Sequence, residues 1–344
     1  MPKVVERSDG GPTALDIATN KPHDRLSVHL ADEMEAVNAL IRTRMSSRYA
    51  PRIAEVSAHL IDAGGKRLRP MLTLAAARLC GYDGDRHINL AAAVEFIHTA
   101  TLLHDDVVDE SGQRRGRPTA NLLWDNKSSV LVGDFLFARS FQLMVDTGSL
   151  RVLDILSNAS ATITEGEVLQ LTASRNLATD EDVYLQVVRG KTAALFSAAT
   201  EAGGVIAGAS EAQVQALHDY GDALGISFQI VDDLLDYWGT DATGKNIGDD
   251  FRERKLTLPV IKAVAQADSR ERAFWSRVIA KGDQGEDDLP HALALLEKHG
   301  ALAATRTEAL AWSARAKTAI RTLPADPIRD MLCDIADYVV ARVN

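Results

Sequence analysis

The sequence predicts an all-α, single-domain protein. Ala and Leu abound while aromatic residues make up 5% of the 344 residues, a composition typical of packed helices rather than sheets. Apolar residues recur at helical spacing, beginning with Leu26, Leu30 and Met34. No linker divides the chain, so residues 23–344 are predicted to form one helical domain after a loose arm over residues 1–22.

Periodicity and end signals predict the individual helices. Pro51 suits a first helical position, where its missing N–H costs little, and Gly64 and Gly65 end that helix. Gly190 within a long helical stretch predicts a kink or a close approach of backbones. The predicted helices cover residues 25–47, 51–62, 71–79, 88–110, 128–145, 150–172, 180–207, 301–321 and 327–343.

Charge and cysteine content exclude several classes of protein. The formal net charge of −10 argues against a general nucleic-acid surface, which would be basic. Only Cys80 and Cys333 occur, the start does not resemble a signal peptide, and no run approaches the roughly 20 apolar residues of a membrane span. We therefore expect a cytoplasmic protein without stable membrane insertion.

An acidic cluster ends one of the long apolar helices. Asp105 and Asp109 lie one helical turn apart, and Asp106 lies about 100° round the helix from Asp105. Like charges this close repel, so the cluster favours a cation, and carboxylate oxygens suit Mg²⁺. Arg114 and Arg115 follow a glycine-containing break, and guanidinium groups match phosphate geometry. By itself, the segment fits a solvated acidic helix end and basic loop equally well.

The same spacing of three aspartates occurs a second time, at Asp232, Asp233 and Asp236. Its neighbours are strongly apolar, which argues against a solvated face, and they are Phe228, Ile230, Val231, Leu234, Leu235 and Trp238. Burying three acids without partners would cost several kcal/mol each. A metal–diphosphate site shared by the two clusters, with bridging Mg²⁺, accounts for both.

The ordered motifs resemble those of trans-polyprenyl diphosphate synthases, most closely the long-chain octaprenyl and decaprenyl types. The match extends from about Leu60 to Pro259 and consists of GGKRLRP, FIHTATLLHDDVVDE, RRGRPTAN, VGDFLFARSF, GEVLQL, GKTAALF, FQIVDDLLDY and GKNIGDDFRERKLTLP. The resemblance implies an all-helical bundle around a deep central cavity, the isoprenoid synthase fold. It also implies that two to three Mg²⁺ ions bind the six aspartates.

The resemblance assigns one group of residues to isopentenyl diphosphate, the homoallylic substrate. Lys66, Arg69, His98 and Arg115 would bind its diphosphate. Without the resemblance, GGKRLRP is more typical of a basic turn that caps a helix, and His98 of a hydrogen-bonded core residue.

A second group would bind the allylic diphosphate. Arg114 would hold it together with the magnesium ions, and Lys245 and Lys255 would close onto it and exclude water. Residues 239–250 are rich in Gly, Asp, Asn and Thr, which predicts a mobile loop. A solvated charge run is the alternative for this stretch.

The segment RGKTAALF would supply groups near the reacting carbon. A kinked helix exposes carbonyl groups, and in the family the residue matching Lys191 contacts the allylic diphosphate. Thr192, with neighbouring carbonyls, would face the developing carbocation, and Gln229 would play a similar polar role.

Two small residues predict a long product. The growing chain would extend along the helix below Asp105, where Thr101 lies four and Ala100 five positions earlier. Short-chain relatives carry aromatic residues at one or both positions. We expect eight to ten isoprene units from a farnesyl or geranyl primer, with decaprenyl diphosphate for the ubiquinone side chain favoured over octaprenyl.

Two other functions use related motifs. A non-catalytic regulatory subunit of a heteromeric synthase would generally lack an acid cluster, and a class I terpene cyclase would replace the second one with an Asn/Ser/Glu triad.

Homodimerisation is expected from the family, and the apolar helix over 128–145 could supply the interface. A lipid product also gives a reason for transient membrane contact.

Overall fold

The all-α prediction is confirmed. The computed structural model describes residues 21–62, 65–114, 116–238 and 247–343, which are largely helical. In these ranges the regular non-helical structure is one short antiparallel ladder, in which β1 (Gln113–Arg114) pairs with β2 (Arg117–Pro118). The ladder folds the chain back directly after the first aspartate motif.

The helices follow one another with short connections. In chain order they are α1 Pro22–His29, α2 Ala31–Arg44, α3 Pro51–Asp62, α4 Leu68–Leu79, α5 Arg86–Val108, α6 Ala120–Leu123, α7 Asn126–Asp146, α8 Leu150–Ala173, α9 Glu181–Val188, α10 Ala194–Ile206, α11 Glu211–Trp238, α12 Asp249–Arg252, α13 Leu258–Gln266, α14 Ser269–Trp275, α15 Asp288–Lys298, α16 Ala301–Ile320 and α17 Pro327–Ala341. Two π-helical segments interrupt this series, at Arg189–Ala193 and Ser276–Lys281.

Most predicted helices are present with small shifts at their ends. The helix predicted over 25–47 is divided at Leu30, whose φ of −109° and ψ of 26° leave the helical region, into α1 and α2. Since α1 already begins at Pro22, the predicted arm ends earlier than residue 22. The division into an arm and one domain stays a prediction, because residues 1–20 lie outside the described residues.

The long helices α5, α10 and α11 carry the main core. Side chains such as Phe96, Ile97, Leu224 and Leu234 are completely or almost completely buried there. A smaller apolar cluster surrounds Trp275, and some residues, including Leu256 and Leu302, pack against both clusters. The two aspartate motifs thus lie on helices fixed by packing along their length.

One helix passes a length and composition test for a membrane span. Among the described residues, α7 is long and apolar enough to cross a membrane, judged by length and composition alone. It packs along α5, and 39% of its most apolar window is buried.

Candidate active site between two aspartate-bearing helices

The first aspartate motif lies at the carboxyl end of α5. Asp105 and Asp109 are both partly buried, and the Asp109 amide donates to the Asp105 carbonyl at 2.8 Å to close the last turn. Burial raises the pKa of Asp105 to about 7; Lys191 opposes this shift, and the Glu167 carboxylate reinforces it. Additional positive charge nearby would therefore favour the ionised form of Asp105.

The middle aspartate of this motif has a different environment. Asp106 is completely buried, and its Oδ1 accepts hydrogen bonds from Nε and Nη2 of Arg114 at 2.9 and 2.8 Å. Asp106 thereby fixes the β1–β2 turn against α5. Metal binding by Asp106 and diphosphate binding by Arg114 stay predictions.

The second motif lies near the end of α11, and each of its carboxylates has a different partner. Asp232 Oδ1 lies 3.0 Å from Nη1 of Arg342, just beyond α17. Asp236 accepts hydrogen bonds from the backbone amides of Asp249 and Asp250, at 3.1 and 3.0 Å, and so holds the start of α12.

The third carboxylate, Asp233, ends a chain of hydrogen bonds. Tyr184 Oη donates to Asp233 Oδ2 at 2.6 Å, and Gln229 Nε2 donates to Oδ1 at 2.8 Å. Thr192 Oγ1 donates in turn to Gln229 Oε1 at 2.8 Å. Burial raises the pKa of Asp233 to about 6 even though the Tyr184 and Gln229 hydrogen bonds lower it. The predicted polar residues Thr192 and Gln229 are thus connected to the second motif.

A contact between two backbones places Lys191. The π-helical segment Arg189–Ala193 is the kink predicted at Gly190. A Cβ atom added to Gly190 would lie 2.7 Å from Cα of Gly166, and one added to Gly166 would lie 2.7 Å from N of Lys191. Next to this contact between Gly166 and Gly190, Lys191 Nζ donates to Glu167 Oε2 at 2.9 Å. Only glycine allows α8 and the π segment to come this close.

Lys255 pairs with the first motif and lines a pocket that Asp233 of the second motif also lines. Its Nζ lies 3.6 Å from Asp109 Oδ2 and 2.5 Å from Glu253 Oε2. Burial disfavours its charge, but Glu253 and Asp109 outweigh that effect and raise its pKa. We call this space the acidic pocket; its polar lining includes Tyr184, Lys191, Thr192, Gln229, Asp233, Asp250 and Lys255.

A second pocket, here called the basic pocket, contains three of the four residues predicted for isopentenyl diphosphate. Its lining includes Lys66, Arg67, Arg69, Glu95, His98, Phe196, Phe228 and Arg342. Arg69 Nη1 donates to His98 Nε2 at 3.2 Å. Partial burial lowers the pKa of Lys66, and the nearby Arg342 cation lowers it further. An anion is the complementary ligand for this group of cations.

The two pockets are neighbours on the same helices. Phe228 lines the basic pocket, and the next residue of α11, Gln229, lines the acidic pocket. Likewise, Thr192 lines the acidic pocket and Phe196, one helical turn later, lines the basic pocket. Two anionic ligands bound in these pockets would therefore bring their uncharged parts together between α10 and α11.

Eight of the predicted residues that the structure describes line neither of these two pockets; they are Asp105, Asp106, Asp109, Arg114, Asp232, Asp236, Ala100 and Thr101. Arg115 and Lys245 lie outside the described residues. Ala100 is buried in the core and Thr101 is partly buried, and neither lines the acidic or the basic pocket. The Thr101 hydroxyl donates to the His98 carbonyl at 2.9 Å.

Sequence reasoning missed several residues of the site. Tyr184 and Arg342 reach the second motif from distant segments, and no local spacing indicates these contacts. Glu167 is part of the GEVLQL motif. Its position directly after Gly166 could have indicated that it belongs to the site. Asp250, whose backbone amide donates to Asp236, is a further half-buried carboxyl, and desolvation raises its pKa well above its usual value.

The carboxylates suit a divalent cation that shares its ligands with a substrate. Among the described residues, no three acidic, His or Cys side chains converge closely enough to hold a metal by themselves. Mg²⁺ is usually bound through one or two carboxylates together with waters and substrate phosphates. Burial raises the pKa values of Asp105 and Asp233, and a nearby cation would favour their ionised forms.

Comparisons with known proteins agree with this arrangement. The polyprenyl synthetase family model matches residues 50–296. The octaprenyl diphosphate synthase of Escherichia coli (strain K12) is 42% identical over 320 residues, which cover 93% of this chain and 98% of that protein.

Two solved structures extend the similarity. A decaprenyl diphosphate synthase from Rhodobacter capsulatus has a TM-score of 0.92 and 74% identity, covering 94% of this chain and 100% of that one. A polyprenyl synthase from Caulobacter crescentus CB15, complexed with calcium and isoprenyl diphosphate, has a TM-score of 0.89 and 52% identity, covering 94% and 98%. The chain therefore belongs to the polyprenyl synthetase family.

Proposed function

We propose that the protein is a long-chain all-trans-polyprenyl diphosphate synthase, an enzyme that adds successive isopentenyl diphosphate units to an allylic diphosphate. The observation that carries this proposal is the adjacency of two pockets of different charge along α10 and α11. The acidic pocket suits a metal-bound allylic diphosphate, and the basic pocket suits the diphosphate of the second substrate without metal. The 74% identity to a decaprenyl diphosphate synthase supports it.

The reaction needs stabilisation of charge rather than a protein nucleophile. The C–O bond of the allylic diphosphate breaks, and the electron pair leaves with diphosphate, to which Lys191 and Lys255 present ammonium groups. The double bond of isopentenyl diphosphate then attacks the allylic cation and forms the new C–C bond. A proton is lost to create the trans double bond, and we assign the departing diphosphate as its acceptor.

Two to three Mg²⁺ ions are the proposed cofactor. Asp105 and Asp109 on α5, with Asp232 and Asp236 on α11, would hold them. When bound, Mg²⁺ supplies positive charge that stabilises the departing diphosphate. Calcium in the Caulobacter crescentus relative supports a divalent ion.

Polar and aromatic groups between the pockets would control the carbocation. The Thr192 hydroxyl and the Gln229 amide are held by the hydrogen-bond chain that ends at Asp233, so their dipoles keep a fixed orientation. Phe196 and Phe228 contact each other with ring centroids 5.6 Å apart. Both rings line the basic pocket beside Thr192 and Gln229, and they would keep water, which would hydrolyse the cation, away from the space between the two pockets.

An assay of the purified chain tests this proposal against its two rivals. We expect farnesyl or geranyl diphosphate, isopentenyl diphosphate and Mg²⁺ to give elongated linear products. A regulatory subunit would give no turnover, and a terpene cyclase would give a cyclic hydrocarbon from the allylic substrate alone. Either of these outcomes would reject the proposal.

Product length is predicted to depend on the helix below Asp105. Because the tail is expected to follow α5, Ala100→Tyr and Thr101→Phe should shift the products from eight to ten isoprene units towards shorter chains. Chromatography of dephosphorylated radiolabelled products measures this shift. Ala100→Ser, which changes little volume, is the matched control and should leave the distribution unchanged. An unaltered product distribution in both bulky variants would show that the growing chain does not follow α5. A wild-type product of ten isoprene units would establish that the product is decaprenyl diphosphate.

The apolar face of α6 and α7 supports a homodimer. Several of its large side chains are exposed in the single chain: Leu122, Leu123, Val130, Leu131, Phe141 and Val145. An exposed patch of this kind is typical of an interface between subunits. Light scattering should give twice the mass of the chain, and a monomer at micromolar concentration would reject this assignment.

Cytoplasmic location and transient membrane contact during product release stay predictions.

A further inference from the structure

Glu95 is a buried carboxylate for which the proposed reaction gives no role. It lies on α5 one helical turn before His98, and 7% of its side chain is exposed. It forms an ion pair with Arg67, whose side chain is 17% exposed and whose Nη1 donates to Glu95 Oε1. Both residues line the basic pocket. Removing Arg67 would leave the buried Glu95 carboxylate without a compensating charge, which is strongly destabilising.

Arg67 has a backbone conformation that needs support. Its φ of 46° and ψ of 36° lie in the left-handed region, which residues with a Cβ atom adopt at a cost. This residue is the turn between Lys66 and the start of α4, and its carbonyl accepts the first helical hydrogen bond, from Met71 N at 3.1 Å. The direction in which Lys66 leaves the helix therefore depends on Arg67.

Two parallel contacts attach this turn to α5. Arg67 binds Glu95, and Arg69 donates to His98 three residues further along the same helix. The second contact joins two predicted substrate ligands, whereas the first joins two residues with no predicted role. Glu95 also balances the charge of Arg67.

We propose that Glu95 is a positioning residue for the homoallylic diphosphate: its ion pair with Arg67 holds the left-handed turn that directs Lys66 and Arg69 into the basic pocket. This inference rests on the proposed function, since it presupposes that isopentenyl diphosphate binds there. Glu95 itself does not contact the substrate, and Arg67 acts through its backbone.

Steady-state kinetics of Glu95→Gln tests the inference. We expect KM for isopentenyl diphosphate to rise about tenfold or more, because a misplaced turn weakens two charge-assisted contacts. KM for farnesyl diphosphate should stay within about twofold, since the acidic pocket does not share this turn. Glu33→Gln is the matched control: Glu33 is 17% exposed and pairs with Arg78 at 2.8 Å, outside both pockets. It should leave both KM values unchanged.

A double variant separates positioning from direct binding. In Arg67→Gly/Glu95→Gln, glycine adopts the left-handed conformation readily and no buried charge is left unpaired, so KM for isopentenyl diphosphate should return to within about threefold of wild type. A raised KM in Arg67→Gly and in the double variant alike would mean that Arg67 binds substrate, and would overturn the inference. An unchanged KM in Glu95→Gln would also overturn it while leaving the proposed function intact. Failure of the wild-type chain to elongate would instead reject the proposed function.

Discussion

Asp105→Asn is expected to lower kcat for elongation by about 10³-fold, equivalent to about 4 kcal/mol of transition-state stabilisation, without lowering the thermal midpoint. The carboxylate is expected to hold Mg²⁺ at the departing diphosphate, and an amide binds Mg²⁺ far more weakly. Stability should be preserved because burial raises the pKa of Asp105 to about 7, so the ionised carboxylate is unfavourable in the metal-free fold. An uncharged amide avoids that cost.

A matched substitution on the neighbouring helix controls for the chemical change. Asp134 on α7 has a 62% exposed side chain, 3.4 Å from His104, and Asp134→Asn should keep kcat within about twofold of wild type. Rapid-quench kinetics at saturating Mg²⁺ measures the effect on the chemical step, and calorimetry measures the thermal midpoint. Near-normal turnover of Asp105→Asn would contradict the assignment of this carboxylate to metal binding.

Gly190→Ala is expected to lower both stability and activity. The added methyl group would lie 2.7 Å from Gly166 Cα and 3.1 Å from the Thr162 carbonyl, and these are backbone atoms that cannot rotate away. Separating α8 from the π segment should cost about 1–3 kcal/mol of stability, as overpacking does. A displacement of about 1 Å at Lys191 and Thr192 should lower kcat by about 10²-fold.

A second glycine serves as the control for this prediction. A Cβ added to Gly285 would meet one atom within 4 Å, Asp288 Oδ2 at 3.7 Å, which is an ordinary contact. Gly285→Ala should therefore leave kcat unchanged. Chemical denaturation and steady-state kinetics measure both effects, and normal stability and activity in Gly190→Ala would show that the close approach does not position the site.

Local signals predicted the helices and the chemical motifs. Pro51 and the glycines after residue 62 mark α3, whose bounds, Pro51–Asp62, agree with the prediction. Gly190 predicted a kink or a close approach of backbones in the helix over 180–207, and the structure has a π-helical segment there that closely approaches Gly166. These features depend on backbone preferences and periodicity within a few residues, which are read from the sequence alone.

Contacts between distant segments could not be predicted in the same way. Tyr184 and Asp233 are separated by 49 positions, and Arg342 reaches Asp232 from the last helix. Their pairing depends on how α9 and α17 pack against α11, and spacing along one helix contains no information about that. For the same reason, the pairing of Asp106 with Arg114 could not be read from the sequence, and metal binding by Asp106 stays a prediction.

A crystal structure with Mg²⁺ and a non-hydrolysable farnesyl thiodiphosphate would test most directly whether the two motifs bind one diphosphate. We expect metal ions that join its oxygens to Asp105 and Asp109 on one side and to Asp232 on the other. We also expect Arg342 to leave Asp232, which lies 3.0 Å away in the present structure. Metal ions bound to one motif alone, or a diphosphate outside the acidic pocket, would contradict it.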